Sequence, residues 1–176
     1  MYIKLYIYPI PYPIHSVAEE LVGSIQAGLC LLVGLTHDDT EKDLQDMYSK
    51  QNCLYFWIDF YLFRAKKVCK LKLFSDNEDS RWKYSVKDAP FPLSILAVSQ
   101  FTLYARTDKG SKPDFHLAMP GEAALPMFNK FVELLKEEMK GCPEGARVQT
   151  GAFGKYMNVE IINDGPVTII LDTKKQ

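Results

Sequence analysis

The sequence predicts an α+β fold, with strands and two main helices around one core, and three observations carry that reading. The chain has 176 residues, long enough for one domain with a real hydrophobic core and short for two. Apolar residues make up 47% and charged residues 24%, close to globular averages, so disorder is not expected. The apolar residues fall either in short runs, as strands require, or at helical spacing. No internal repeat or low-complexity tract is present, and residues 1–176 read as a single domain.

Taken in order, residues 28–35 (GLCLLVGL) form an apolar run ending at the turn-like THDDT, a buried strand followed by a helix start. Thr40 is a candidate cap for that helix, with Glu41 and Asp43 suited to its positive N-terminal end. NCLYFWIDFYLF is then apolar on all sides, and a fresh helix-like AKKVCKLKLF follows. The polar, turn-rich FSDNEDSRWKYSVKDAPF fits a hairpin or surface loop. Residues 93–98 (LSILAV) are a second buried strand that runs straight into Ser99-Gln100-Phe101-Thr102. Residues 121–140 alternate apolar and charged positions at helical spacing, with Leu125, Phe128, Phe131, Val132, Leu135 and Met139 on one side. Gly141 and Pro143 end that helix. Two further strands are expected at residues 156–162 and 167–171, joined by the turn Asn163-Asp164-Gly165-Pro166.

Composition also excludes function classes. The net charge is −1, so no global positive field holds a long stretch of nucleic acid. Any RNA contact has to be local, and the run Arg106, Lys109, Lys112 is the candidate, against its plain reading as a solvated loop. Cys30, Cys53, Cys69 and Cys142 form no CxxC pair, and His15, His37 and His116 lie far apart. Neither set reads as a disulfide framework or a metal site, and no cofactor is implied. The aromatic, Pro-broken N-terminus resembles neither a secretory signal nor a transit peptide, and residues 54–63 are too short to span a bilayer. The expectation is a cytoplasmic protein without a membrane partner.

A search for catalytic side chains finds no GxSxG elbow, no Walker loop and no dinucleotide-binding glycine pattern. Three segments nevertheless carry chemistry. Ser99-Gln100-Phe101-Thr102 lies where a buried strand emerges, a place where exposed backbone N–H groups can cradle an oxyanion; the plain account is that Ser99 and Thr102 only bond the turn. Gly165-Pro166 is either an ordinary turn or, as a cis peptide, a rigid wall of backbone carbonyls. Lys112-Pro113-Asp114-Phe115-His116 and the segment GAFGKYM around Phe153 and Met157 offer aromatic and thioether side chains that can stack on a nucleobase or simply pack. His116 has no visible partner as a general base.

Together these segments resemble the D-aminoacyl-tRNA deacylase family. The likeness rests on Ser99-Gln100-Phe101-Thr102-Leu103, on NDGPVT from Asn163 to Thr168, and on the linking KPDFHLA and GAFGKYMNV, in matching order and spacing over roughly residues 22–47 and 66–173. Each motif is modestly specific and the ordered set highly so. The resemblance implies a single domain of antiparallel or mixed β-sheet with two main helices, forming a homodimer. It implies hydrolysis of the ester joining a D-amino acid, or glycine, to the 3′ end of tRNA, with no metal and no side-chain nucleophile. The terminal ribose 2′-OH would assist water attack while backbone N–H groups at Phe101 and Thr102 stabilise the oxyanion. Ser99 and Gln100 would hold that loop, and Ala124, Phe153 and Met157 would line an adenosine pocket. Gly165 and Pro166 would be the chiral filter, inserted from one subunit into its twin.

Two places depart from the family pattern. Members begin with a strand carrying Gln-Arg-Val, whose Arg supports the Gly-Pro motif across the dimer, whereas the atypical residues 1–21 hold no Arg. An apolar insertion near residues 49–64 interrupts what is otherwise one helix. The expectation is impaired stability and dimerisation with intact site motifs. The rival expectation is a nucleic-acid-binding or regulatory homologue that keeps the fold without catalysis.

Overall fold

Two strands with apolar residues on both faces need cover on both sides, and the structure supplies it. The computed structural model describes residues 4–10, the backbone alone, together with 21–37, 65–75 and 82–172. Strand β1 is Lys4–Ile10, β2 Gly28–Gly34, β3 Ser94–Ser99, β4 Val148–Thr150 and β5 Ile169–Asp172. They form one mixed sheet in the order β4-β3-β2-β1-β5. Its centre is the parallel pair β2 and β3, registered from Gly28 opposite Ser94 to Val33 opposite Ser99. β4 adds in parallel to β3, while β1 is antiparallel to both β2 and β5. The apolar, Pro-broken N-terminus thus contains a strand.

Alternation along β2 and β3 divides the core. Leu29, Leu31, Val33, Ile95 and Ala97 point to one face and pack with Ala65, Val68 and Cys69 and with the long helix α1, Gly121–Glu138. Residues 65–70 are helical. Cys30, Leu96 and Val98 point to the other face, where Ile25, Leu32, Met157 and Ile161 cover them. Burial on both faces explains why the two strands read as unbroken apolar runs.

Helix α1 begins two turns short of its first fully buried aromatic and ends where Gly141 takes φ +82°, the left-handed geometry that stops a helix. The expected apolar stripe is corrected at one position. Leu125 is 40% exposed, and the buried face is made by Ala124, Phe128, Phe131, Val132, Leu134, Leu135 and Met139. A single 100° step from Ala124 carries Leu125 off the stripe.

Two further expectations change. Residues 156–162 form no strand, because Val148–Thr150 already takes the free edge of β3. Tyr156 is 98% exposed, and only Met157 and Ile161 of that segment reach the apolar cluster. The last strand, expected at 167–171, is Ile169–Asp172. On either side of the polar segment, Phe74 and Tyr84 form an antiparallel bridge, exchanging backbone hydrogen bonds of 3.0 and 2.9 Å, and residues 76–81 between them lie outside the described residues. The helix start at Thr40 and the insertion near 49–64 lie outside the described residues. Among the described residues no helix is long and apolar enough to cross a membrane.

Candidate active site

Because β2 and β3 are parallel, their C-terminal ends emerge at the same edge of the sheet, and backbone there runs out of strand partners. The chain uses this edge to build a cavity of about 320 Å³. Val33 and Leu35 form its floor, Ser99, Gln100 and Phe101 one wall, and Ala118 and Met119 another. The start of α1 (Gly121, Ala124) and the turn Phe153-Gly154 close it. The far wall is stitched to β2 by Met119 N–H donating to Leu35 O at 2.9 Å and by the Thr36 hydroxyl donating to Leu117 O.

The Ser99-Gln100-Phe101-Thr102 segment turns sharply at the mouth. Gln100 N–H donates to Val33 O at 2.8 Å, the last bond tying it to β2, and Phe101–Tyr104 then forms a short 3₁₀ turn. The Leu103 N–H closes back on Gln100 O at 3.3 Å. The N–H groups of Phe101 and Thr102 thus have no partner inside the turn, and among the described residues no side chain caps it. The Gln100 amide donates to Thr102 Oγ1 instead, holding the hydroxyl in the turn. Phe101 is 56% exposed and meets Phe115 edge to face, ring centroids 5.2 Å apart.

Phe153 is anchored from behind by Phe128 of α1, centroid to centroid 5.7 Å. Gly121 lies beside it at the start of α1, where even a Cβ would make only an ordinary contact of 4.0 Å with Phe153 Cε1. Met157 sits elsewhere: it packs with Cys30, Leu96 and Val98 on the opposite sheet face and its Sδ accepts the Ala152 N–H at 3.1 Å. Gly165-Pro166 is a cis peptide in an exposed loop before β5, closed by Val167 N–H donating to Asn163 Oδ1 at 3.4 Å. Neither residue lines the cavity of its own chain.

Of the sequence-predicted residues, the fold therefore gathers Ser99, Gln100, Phe101, Ala124 and Phe153 around one space, with Thr102 in the turn behind them. Among the described residues the lining contains no ionisable side chain. The buried thiols of the two core clusters are inert: burial pushes Cys30 up to about 12, and burial, with Glu138 as the next cause, does the same to Cys69. Among the described residues no cluster of three His, Cys, Asp or Glu side chains is poised for a metal. What the site can offer chemically is backbone donors at one wall, apolar surface and an aromatic ring opposite.

Sequence reasoning missed Val33, Leu35, Ala118 and Met119, which nothing in their type distinguishes from core. It also left His116 alone. Its ring nitrogen Nδ1 in fact meets Asp114 Oδ2, and its backbone N–H donates to Asp114 Oδ1 at 2.9 Å. These two bonds, the backbone one first, hold the Asp114 carboxyl below the usual range. The pair lines a small depression of about 90 Å³ with Arg106, Asp108 and Lys109, separate from the cavity.

Comparison with known proteins gives a consistent picture. The family model described as D-Tyr-tRNA(Tyr) deacylase matches residues 14–59 and 61–172. The D-aminoacyl-tRNA deacylase of Drosophila melanogaster is 44% identical over 161 residues, 92% of this chain and 86% of that protein. The solved structure of a c-Myc DNA Unwinding Element Binding Protein superposes with a TM-score of 0.69 at 37% identity, covering 96% of this chain and 97% of that one. A probable eukaryotic D-amino acid tRNA deacylase shares the fold, with a TM-score of 0.72 at 14% identity over 98% of this chain and 100% of that one.

Proposed function

The chain belongs to the D-Tyr-tRNA(Tyr) deacylase family, and on that premise we propose that it hydrolyses the ester bond of D-aminoacyl-tRNA to free amino acid and tRNA. The observation that carries this is the cavity: a space sized for a terminal nucleoside, with the first N–H groups of a 3₁₀ turn at its mouth and, among the described residues, no ionisable side chain in its lining.

In the reaction, water adds to the ester carbonyl and the oxyanion is held by the Phe101 and Thr102 N–H groups. The tetrahedral intermediate collapses by breaking the bond to the ribose 3′-oxygen, which takes up the proton. The neighbouring 2′-OH of the same ribose orients and activates the water, a role that the lining leaves to the substrate. Phe153 stacks on the adenine and Ala124 keeps the ribose side open, while Ser99 and Gln100 hold the turn; Met157 supports Phe153 only through the Gly151-Ala152 backbone.

Selectivity comes from a second copy. Gly165 and Pro166 are exposed and outside their own cavity, which suits insertion into the partner of a homodimer, where their carbonyls exclude an L side chain and leave room for D residues and glycine. The test is time-resolved hydrolysis of D-Tyr-tRNA against L-Tyr-tRNA by pure protein. The D ester is expected to disappear while the L ester persists. No D-selective turnover, with RNA binding retained, would overturn the reading in favour of a catalytically silent nucleic-acid-binding homologue.

A further inference from the structure

A cavity of about 320 Å³ has room for one terminal nucleoside, so the nucleotides before it must leave through the mouth. Two independent features mark the way out. The first is aromatic: Phe101 and Phe115 are 56% and 36% exposed and form an edge-to-face pair at the lip. The second is electrostatic. The loop beyond Phe115 is closed by a bridge in which Arg106 and Asp114 exchange backbone hydrogen bonds of 2.8 and 2.9 Å. Within it, Asp108 is taken up by the Arg106 guanidinium and Asp114 by His116. Both acids are thus engaged, while Lys109 and Lys112 are exposed and carry no ion pair among the described residues.

We infer that this rim, Phe115 with Lys109 and Lys112, binds the single-stranded segment of tRNA immediately before its terminal nucleotide. A π-face beside uncompensated cations is the arrangement that holds single strands, stacking a base and tracking the phosphates without reading sequence. Phe115 lines the cavity beside Phe101, and the Asp114–His116 bonds on either side of it fix it where that cavity meets the loop. The inference rests on the proposed function for the identity of the strand.

The test uses uncharged RNA, which needs no catalysis. A 5′-labelled tetranucleotide ending in CCA is titrated against wild type, the K109S/K112S variant and Phe115→Ala by fluorescence anisotropy between 50 and 200 mM salt. Melting temperatures verify that each variant folds. Loss of two phosphate contacts predicts a log–log salt slope shallower by about 1.4 for the double variant, with affinity about tenfold weaker at low salt. Phe115→Ala is expected to weaken binding about fivefold or more with the slope unchanged. A double variant with wild-type affinity and slope would overturn the rim. A protein that binds the RNA through these residues yet leaves D-Tyr-tRNA intact would lose the proposed activity and keep the rim.

Discussion

Gly34 offers the sharpest test of whether catalysis runs through backbone. It ends β2 directly behind the Gln100–Tyr104 turn, and a Cβ built there would stand 3.1 Å from Leu103 Cβ, 3.1 Å from Tyr104 Cε2 and 3.2 Å from Gln100 O. Carbon contacts are comfortable at about 3.5–4.0 Å, so Gly34→Ala demands a movement of roughly 0.4 Å or more. Strand β2 is held on both sides by β1 and β3, which leaves the turn to give way. The stability cost of such overpacking is about 1–3 kcal/mol. The catalytic cost is larger in proportion, because losing one oxyanion donor outright costs roughly 10²–10³ in rate and a donor displaced by tenths of an ångström forfeits part of that.

The expected outcome is a fall of about ten- to a hundredfold in the single-turnover rate of D-Tyr-tRNA deacylation at saturating enzyme, from a protein that still melts cooperatively. The companion variant is Thr102→Val, which keeps the shape and removes the hydroxyl that accepts from Gln100. Its loss is expected to stay within about tenfold, the cost of one hydrogen bond being roughly 1 kcal/mol. A folded Gly34→Ala protein with wild-type rate refutes the backbone argument. So does a Thr102→Val protein that loses three orders of magnitude, since that is the behaviour of a nucleophile.

Three other outcomes follow from the geometry. Phe153→Ala removes the ring that Phe128 props against the cavity, and is expected to raise KM about fivefold or more with a smaller effect on kcat, as steady-state kinetics on D-Tyr-tRNA will show. Phe131, 1% exposed on the core face of α1, should cost about 3–5 kcal/mol when cut to alanine, read as a lower guanidinium midpoint at constant m. Cys30 and Cys69 have folded values of about 12 against an ordinary 9.0, so their contribution is fully present below pH 9 and is lost as pH rises from 9 toward 12. Each thiol then withdraws on the order of 1 kcal/mol of stability between pH 8 and 10, and Cys69→Ala should shrink the loss over that interval by a similar amount; an unchanged loss would contradict the assignment.

Much of the fold was legible because it follows from period alone. The short apolar runs at 28–35 and 93–98 read as buried strands, and the spacing from Leu125 to Met139 reads as one long helix, although Leu125 itself lies off the buried face. What stayed hidden depended on who pairs with whom. β4 is three residues long, too short to leave a pattern, yet by taking the edge of β3 it denies residues 156–162 a ladder. Asp114 was named in the same five-residue segment as His116, and still their contact was invisible, because it depends on the turn made by the bridge to Arg106.

The site divides along the same line. Ser99, Gln100, Phe101 and Phe153 stand out in segments able to offer backbone donors or a stacking ring, and motif order then ties them to one site, because among the described residues the lining has no ionisable side chain to mark it. In a site whose working groups are backbone N–H, every residue type carries the reagent. The constraint on sequence moves to the positions that let the backbone come close. Gly34 is tight against the turn at three points, and Ala124 is the small side chain that α1 presents to the cavity. Such a site is written in what its residues leave out, and the consequence can be measured: adding one methyl group at Gly34 should do more damage to the rate than removing the hydroxyl of Thr102.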